Sequence, residues 1–145
     1  MTELTRKEKR LARVTALQVG YACELSGEEP GIILAHLAED EDTELIPEVT
    51  AYSGKLVRLS IKYCERVDRI IMDRSSNWDF SRITLIDRLI LRMAITEMLY
   101  IDDVPPKVSI SEAVEIAKIF STDDSSGFVN GILDSAYNDS LTGKL

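Results

Sequence analysis

The sequence predicts an all-α fold, a compact bundle of six or seven helices around a central apolar helix. Apolar residues recur at the three- and four-residue intervals of helical faces, and no segment keeps the strict alternation of a half-buried strand. Capping residues, glycines and prolines divide this pattern into segments joined by short connections. The length of 145 residues suits one domain, residues 1–145, whose helical halves cover about 1–76 and 77–145.

The first two helices are marked by start and stop signals. Thr5 and Glu8 form a capping-box pattern, in which each side chain accepts a hydrogen bond from the backbone N–H of the other residue. A helix is therefore predicted to begin at Thr5, and Ser26-Gly27 is typical of a helix end. A short second helix is predicted over residues 32–37, before an acidic segment.

The middle of the chain is predicted to hold one long helix followed by one buried helix. Apolar residues keep helical spacing from Pro47 to about Arg74, which predicts a single long helix. Trp78 and residues 79–81 lead into a helix over residues 82–100 that is apolar almost all round. A helix of that composition is normally surrounded by other helices, so it is expected at the centre of the bundle.

Two last helices are predicted over about residues 109–120 and 125–138. Pro105-Pro106 separates them from the central helix, because proline lacks an N–H group and disfavours helix in the residue before it. Ser109 and Glu112 form a second capping-box pattern, which predicts a helix start at Ser109. Gly131 is a poor helix former inside the last helix, and we expect a neighbouring helix to approach closely there.

Composition argues against several classes of protein. No run approaches the roughly 18–20 apolar residues of a membrane span, and the N-terminal residues are charged without an apolar signal region. A cytoplasmic protein is therefore expected, with Cys23 and Cys64 as reduced thiols. A single histidine, His36, and the lack of a Cys-x-x-Cys pattern argue against a metal site. We find no glycine-rich phosphate loop or nucleophile–base motif, so neither an enzyme nor a cofactor is expected.

Positive charge gathers at the N-terminal end, although the whole chain carries a net charge of −8. Five basic residues against two acidic ones give the first thirteen residues a charge of +3, which leaves −11 for the remainder. Distribution matters more than the total, because phosphate contacts need local positive potential. The chain is therefore expected to hold RNA at this end only, or to offer acidic surface to a basic protein.

The first helix divides into a basic arc and an apolar arc. At about 100° per residue, the basic side chains fall within an arc of about 100°. The basic arc comprises Arg6, Lys9, Arg10 and Arg13. The neighbouring arc comprises Leu11, Val14, Gln18, Tyr21 and Leu25. We expect the apolar arc to pack, with Gln18 bonded to a buried backbone group, and the basic arc to face water or a ligand.

Some residues of the C-terminal half admit two interpretations. By position alone, Phe120 is typical of a core aromatic and Asp124 of a helix cap. Asp87, Arg88 and Arg92 lie on the central helix, which has little polar surface. They indicate either an internal ion-pair set that positions neighbouring helices or a face that contacts another protein.

Three segments together resemble the NusB family of bacterial transcription antitermination factors. The segments run from Ala12 to Tyr21, from Arg82 to Glu97 and from Val104 to Asp134. They include Ala-Arg-x-x-Ala-Leu-Gln-x-x-Tyr in the first and Phe-Val-Asn-Gly-Ile-Leu-Asp in the last. The likeness covers roughly residues 5–137 and implies the all-α fold of that family.

The resemblance implies a function and a set of contact residues. The family's factor binds boxA-type single-stranded RNA of nascent ribosomal RNA together with the ribosomal protein NusE, within the transcription elongation complex. By resemblance, the RNA-binding residues are Arg6, Lys9, Arg10, Arg13, Phe120 and Asp124. The partner-binding residues, again by resemblance, are Arg88, Arg92 and Thr96.

Two other functions compete with this one. A helical protein-interaction module, or a homodimer with little RNA binding of its own, is favoured by the net charge of −8 and the diluted basic cluster. A NusB-like domain is also attached to some ribosomal RNA cytosine methyltransferases. We do not expect that arrangement, because nothing follows Leu145 to supply a methyl-donor-binding sheet.

Overall fold

The computed structural model describes residues 3–40, 43, 45–75 and 82–145, which contain seven α-helices and no strand. The helices are α1 (Arg6–Ser26), α2 (Pro30–Glu39), α3 (Pro47–Lys62), α4 (Cys64–Arg74), α5 (Leu85–Tyr100), α6 (Pro106–Phe120) and α7 (Asp123–Leu141). The predicted fold class is confirmed. None of the described helices has the length and apolar character needed to cross a membrane. The predicted lead-in at Trp78 and residues 79–81 lies outside the described residues.

The chain divides into two compact units, residues 1–59 and 60–145. The division falls inside α3, further toward the N-terminus than the sequence-based division near residue 76. It falls there because α4 packs against α5 and α7 and so belongs with the C-terminal helices.

In the first unit, α1 begins and ends as predicted. The Glu8 N–H donates to Thr5 Oγ1 over 3.1 Å, and the Thr5 N–H donates to Glu8 Oε1 over 2.9 Å, so the capping box is complete. At the other end Gly27 has a φ of 76°, and its N–H donates to the carbonyl of Cys23 over 2.9 Å. A left-handed residue of this kind ends a helix because it turns the chain away from the helix axis.

The face of α1 that packs is not the predicted apolar arc. Gln18 and Tyr21 are exposed, and Leu25 is 67% exposed. The buried face instead contains Ala12 and Ala16, whose small side chains let another backbone come close. α3 makes such an approach, since the hydroxyl of Ser53 donates to the carbonyl of Ala12 over 2.7 Å. The prediction of the packed arc, and of a buried bond for Gln18, was therefore wrong.

In the second unit, α5 packs against α4, α6 and α7. Its buried residues are Asp87, Ile90, Leu91, Met93, Ala94, Ile95, Thr96 and Glu97. The helix begins at Thr84, whose Oγ1 accepts from the Asp87 N–H over 3.3 Å. The prediction of a central apolar helix is confirmed.

The single long helix predicted after Pro47 is two helices, α3 and α4. They are separated at Tyr63, which has φ −107° and ψ 18°, outside the α region. The Tyr63 ring stacks on the Tyr100 ring, with centroids 3.9 Å apart and planes at 9°. Apolar spacing continues across this residue, so periodicity does not reveal the break.

Two expectations for α6 and α7 were also wrong. α6 begins at Pro106 rather than Ser109, because proline suits the first turn of a helix, where its missing N–H costs nothing. Ser109 is therefore inside the helix and buried, and its hydroxyl donates to Glu97 Oε1 over 2.7 Å. Gly131 is exposed, and a Cβ added there would meet no atom of the described residues within 4 Å, so none of the seven helices approaches it closely.

Candidate nucleic-acid interface

Basic side chains occupy the first two turns of α1. Arg6 is exposed, and Lys9 and Arg10 are half-buried. The Lys9 Nζ atom lies 6.0 Å from the centroid of the Tyr52 ring, a cation–π contact that steadies the ammonium group. The N-terminus of a helix also carries partial positive charge, so this end of α1 attracts anions for two reasons.

Arg13, the fourth member of the predicted basic arc, is not at the surface. Its exposed fraction is 2%. Arg13 lies about 100° round the helix from Ala12, at the edge of the buried face, which Leu17 extends. The prediction that Arg13 lies on an exposed arc was therefore wrong, and the accessible cluster consists of Arg6, Lys9 and Arg10.

Phe120 is the last residue of α6 and is 40% exposed. Its neighbour Ile119 is 62% exposed, so two apolar side chains meet solvent at this helix end. The interpretation of Phe120 as a core residue was wrong. An accessible aromatic face of this kind suits stacking on an unpaired base.

Asp124 is the second residue of α7 and is exposed. The residue before the helix is Thr122, so the interpretation of Asp124 as the helix cap was wrong. Asp123 and Asp124 both lie in the first turn, where negative charge is favourable because helical N–H groups point outward. The carboxylate of Asp124 is therefore accessible to a ligand.

Asp87 holds the connection between α6 and α7 against α5. Its Oδ1 accepts from the Ser121 hydroxyl over 2.7 Å, and its Oδ2 accepts from the Ser125 hydroxyl over 2.8 Å. The Ser125 Oγ also lies 2.9 Å from the hydroxyls of Ser121 and Thr122. One buried carboxylate thus fixes both ends of a two-residue connection that carries Phe120 on one side and Asp124 on the other.

Sequence reasoning missed this role of Asp87. In the sequence Asp87 stands out as a polar residue on an apolar helix, and residues 121–125 are all of types that can cap a helix. Only the fold brings the acceptor and its donors together, since they are separated by 34 and 38 positions in the chain. The available signal was an acidic residue on an apolar helix together with a serine-rich turn elsewhere in the chain, since a buried carboxylate needs hydrogen-bond donors.

The predicted partner surface on α5 is less accessible than expected. The Arg92 Nε and Nη2 atoms donate to Asp68 Oδ1 and Oδ2 over 2.6 and 2.8 Å, so this guanidinium forms a bidentate ion pair with α4. The alternative of an internal ion pair is therefore confirmed for Arg92. Arg88 is half-buried, and Thr96 is 0% exposed, which removes its side chain from any surface. Docking of a partner at Arg88 and Arg92 stays a prediction.

The predicted contact residues fall in both units. Arg6, Lys9 and Arg10 belong to residues 1–59, where they share one helix end. Phe120 and Asp124 belong to residues 60–145, where two residues separate their helices. Each unit thus presents one candidate contact region.

Acid–base and metal chemistry have little support in the part of the chain that the structure describes. Burial, followed by the negative charges of Glu24 and Glu28, raises the pKa of the Cys23 thiol. The thiol is therefore a poorer nucleophile at neutral pH than an ordinary cysteine. Cys23 and Cys64 are both free, and no group of three metal-ligating side chains occurs among the described residues.

Comparison with known proteins identifies similar sequences. The model of the NusB family matches residues 10–138. A transcription antitermination protein NusB from Chloroherpeton thalassium is 41% identical over 133 residues, which are 90% of this chain and 62% of that protein. The chain therefore spans less than two thirds of the length of that relative.

Two solved structures share the fold. The T. maritima NusB structure superimposes with a TM-score of 0.82 at 28% identity, covering 96% of this chain and 94% of that one. A structure of antitermination factors NusB and NusE in complex with double-stranded RNA gives a TM-score of 0.75 at 24% identity, covering 92% and 98%. At that lower identity the likeness concerns the fold alone.

Proposed function

The chain belongs to the NusB family of transcription antitermination proteins, and from this premise we propose that it binds boxA-type single-stranded RNA of nascent ribosomal RNA together with the ribosomal protein NusE. In this role it acts in the cytoplasm as part of the transcription elongation complex. The protein is a scaffold in this proposal, and its side chains bind rather than react.

The observation that carries the proposal is the basic end of α1. Arg6, Lys9 and Arg10 gather positive charge on two helical turns of a chain whose net charge is −8. Such a cluster can bind phosphates through its local positive potential. The rest of the sequence carries an excess of negative charge and would repel an anionic polymer. Phe120 adds an accessible aromatic face, which serves an unpaired base.

NusE is the partner in this proposal because the chain belongs to the NusB family, and a NusB accompanies NusE in a solved complex that contains RNA. Three cations give weak RNA binding by themselves, and a partner that contacts the same RNA raises the affinity through effective concentration. We expect RNA binding by the pair to exceed RNA binding by this chain alone.

The test is a titration of fluorescently labelled boxA-like single-stranded RNA, with and without NusE, over a series of salt concentrations. If the three cations contact three phosphates, the slope of log affinity against log salt is about −2. Arg6→Ala with Arg10→Ala should weaken binding and make the slope shallower. The control, Lys55→Ala with Lys107→Ala, removes the same charge from exposed positions elsewhere and should change neither.

The second candidate is a protein-interaction module or homodimer with little RNA binding of its own. The observation in its favour is the outer face of α1, where Tyr21 and Leu25 are exposed apolar side chains. Sedimentation of the protein at rising concentration tests self-association. RNA binding that is absent both with and without NusE, beside a concentration-dependent dimer, would favour this candidate over the RNA-binding factor.

A further inference from the structure

A second group of cations lies where α3 ends and α4 begins. Lys62 is the last residue of α3, and Arg66 and Arg69 lie three residues apart on α4, so these two are neighbours on one helical face. All three side chains are exposed. We call these three residues the α4 basic surface, and all of them belong to the unit of residues 60–145.

An aromatic pair holds two of these cations in place. The rings of Tyr63 and Tyr100 are stacked, with centroids 3.9 Å apart. The Lys62 Nζ lies 5.3 Å from the Tyr63 centroid, and the Arg66 Nη1 donates to the Tyr100 hydroxyl over 2.8 Å. The break between α3 and α4 places Tyr63 in this stack, so the local geometry of the chain pre-organises the two charges.

The α4 basic surface keeps an excess of one positive charge over the acids beside it, since Glu65 and Asp73 each lie four residues from Arg69. Asp68, the acid between Arg66 and Arg69 in sequence, is already bound by Arg92. Arg69 forms no ion pair with any of the residues that the structure describes. The exposed guanidinium of Arg69 presents a planar set of N–H donors, which suits an anion.

A cavity of about 400 Å³ adjoins the surface. Its charged lining residues are Arg66, Arg69, Arg74, Lys144, Glu65 and Asp73. Arg74 is bound to Asp139 over 2.5 Å, which leaves three cations against the carboxylates of Glu65 and Asp73. Two of these three cations, Arg66 and Arg69, belong to the α4 basic surface itself, and Lys144 is a further cation in the adjoining recess.

We propose that the α4 basic surface is a second RNA contact, which binds the phosphate backbone of a single strand. This inference rests on the proposed function, because it assumes that the chain binds RNA. Closely spaced cations beside aromatic rings are typical of surfaces that follow a single-stranded backbone. The phosphodiester supplies one negative charge per nucleotide, which suits a short row of cations better than the scattered carboxylates of a folded protein.

The experiment compares full-length variants in titrations of a short labelled single-stranded RNA, again over a series of salt concentrations. Lys62→Ala with Arg69→Ala should weaken binding roughly tenfold at low salt and make the log–log slope shallower by about 1.4, which corresponds to two lost phosphate contacts. Lys107→Ala, an exposed cation on α6, is the control and should leave affinity and slope unchanged. Circular dichroism should show unchanged melting, because the replaced side chains are exposed.

Tyr100→Phe tests the positioning of Arg66. It keeps the aromatic stack and removes the hydroxyl that accepts from Arg66. Affinity should fall roughly twofold with an unchanged slope, since no charge is lost. An affinity equal to that of the parent protein would overturn this positioning role.

The outcomes separate this inference from the proposed function. If Lys62→Ala with Arg69→Ala binds RNA like the parent while Arg6→Ala with Arg10→Ala binds weakly, the second contact is wrong and the RNA-binding function stands. If the parent fails to bind RNA even with NusE, both are overturned. If the parent binds a glutamate-rich peptide more tightly than RNA, and the Lys62/Arg69 variant loses that binding, the surface docks a protein and our inference is wrong.

Discussion

Arg10 and Arg13 are one helical turn apart on α1 and have different surroundings. Arg13 is buried, whereas Arg10 is half-buried near the basic end of the helix. Arg13→Ala should therefore lower the free energy of unfolding by about 1–3 kcal/mol, and Arg10→Ala by less than about 0.5 kcal/mol. Urea denaturation of the two variants measures the difference. Equal loss of stability would mean that Arg13 contributes nothing through its burial.

Phe120 and Ile119 form a matched pair for testing base stacking. Both are exposed apolar residues at the end of α6, and only Phe120 has an aromatic face. Phe120→Ala should weaken RNA binding by ~1–3 kcal/mol, the contribution of one stacked base. Ile119→Ala should leave RNA affinity unchanged. Equal effects of the two substitutions in an RNA titration would show that general apolar contact, and not stacking, is involved.

Asp124 tests whether RNA phosphate lies near the start of α7. Because Asp124 is in the first turn, Asp124→Asn should lower the free energy of unfolding by about 0.3–1 kcal/mol. If a phosphate lies beside it, the same substitution removes a repulsion and should tighten RNA binding a few-fold. Weaker binding would mean that the carboxylate accepts a hydrogen bond from a base. Unchanged binding would place this turn outside the RNA surface.

The connection between α6 and α7 depends on an acceptor supplied by another helix. Asp87→Ala removes the partner of the Ser121 and Ser125 hydroxyls and should cost at least about 2 kcal/mol of unfolding free energy. It should also weaken RNA binding, because Phe120 and Asp124 lose their fixed positions. The matched variant Ser121→Ala with Ser125→Ala should reproduce much of both effects. Urea denaturation and RNA titration of the two variants and their combination give the coupling, and additive losses would contradict a shared clamp.

Local signals in the sequence located most of the helices. The capping box at Thr5 and the left-handed Gly27 act within a few residues, so they could be recognised without knowledge of the fold. Ser109 was misjudged because a pattern of two residues cannot show that Pro106 starts the helix a turn earlier. The break at Tyr63 depends on a ring 37 positions away in the sequence, which periodicity does not contain.

The exposure of the candidate contact residues was predictable where charge or the family resemblance indicated it. Arg6 and Phe120 are accessible as the family resemblance implied. The burial of Arg13 was not predictable, because a helical wheel shows two faces and only the packing of small residues such as Ala12 selects one. The Asp87 clamp was missed for a similar reason, since it needs three helices to meet.

At the scale of the whole molecule, charge is strongly segregated. A chain of net charge −8 repels an anionic polymer at long range, so any RNA contact must form at local clusters of cations. Added salt screens both the long-range repulsion and the local attraction. It weakens the local contacts more, because each phosphate contact releases a condensed counterion, and that release becomes less favourable as the salt concentration rises. RNA affinity measured at low salt therefore overstates what the molecule achieves at physiological salt.

Gly127 and Gly131, which have free space around them, lower the local stability of α7. A Cβ at either position would meet no atom within 4 Å, so each glycine costs the helix about 1 kcal/mol relative to alanine without any packing gain. Gly131→Ala should raise the melting midpoint by about 2–4 °C. By hydrogen exchange, the parent's amides beyond the first turn of α7 should exchange faster than those of the alanine variant, and equal rates would refute this. The two glycines thus predict that α7 opens locally more readily than its alanine variant beyond the first turn, while the start of the helix stays bound to Asp87 through Ser125.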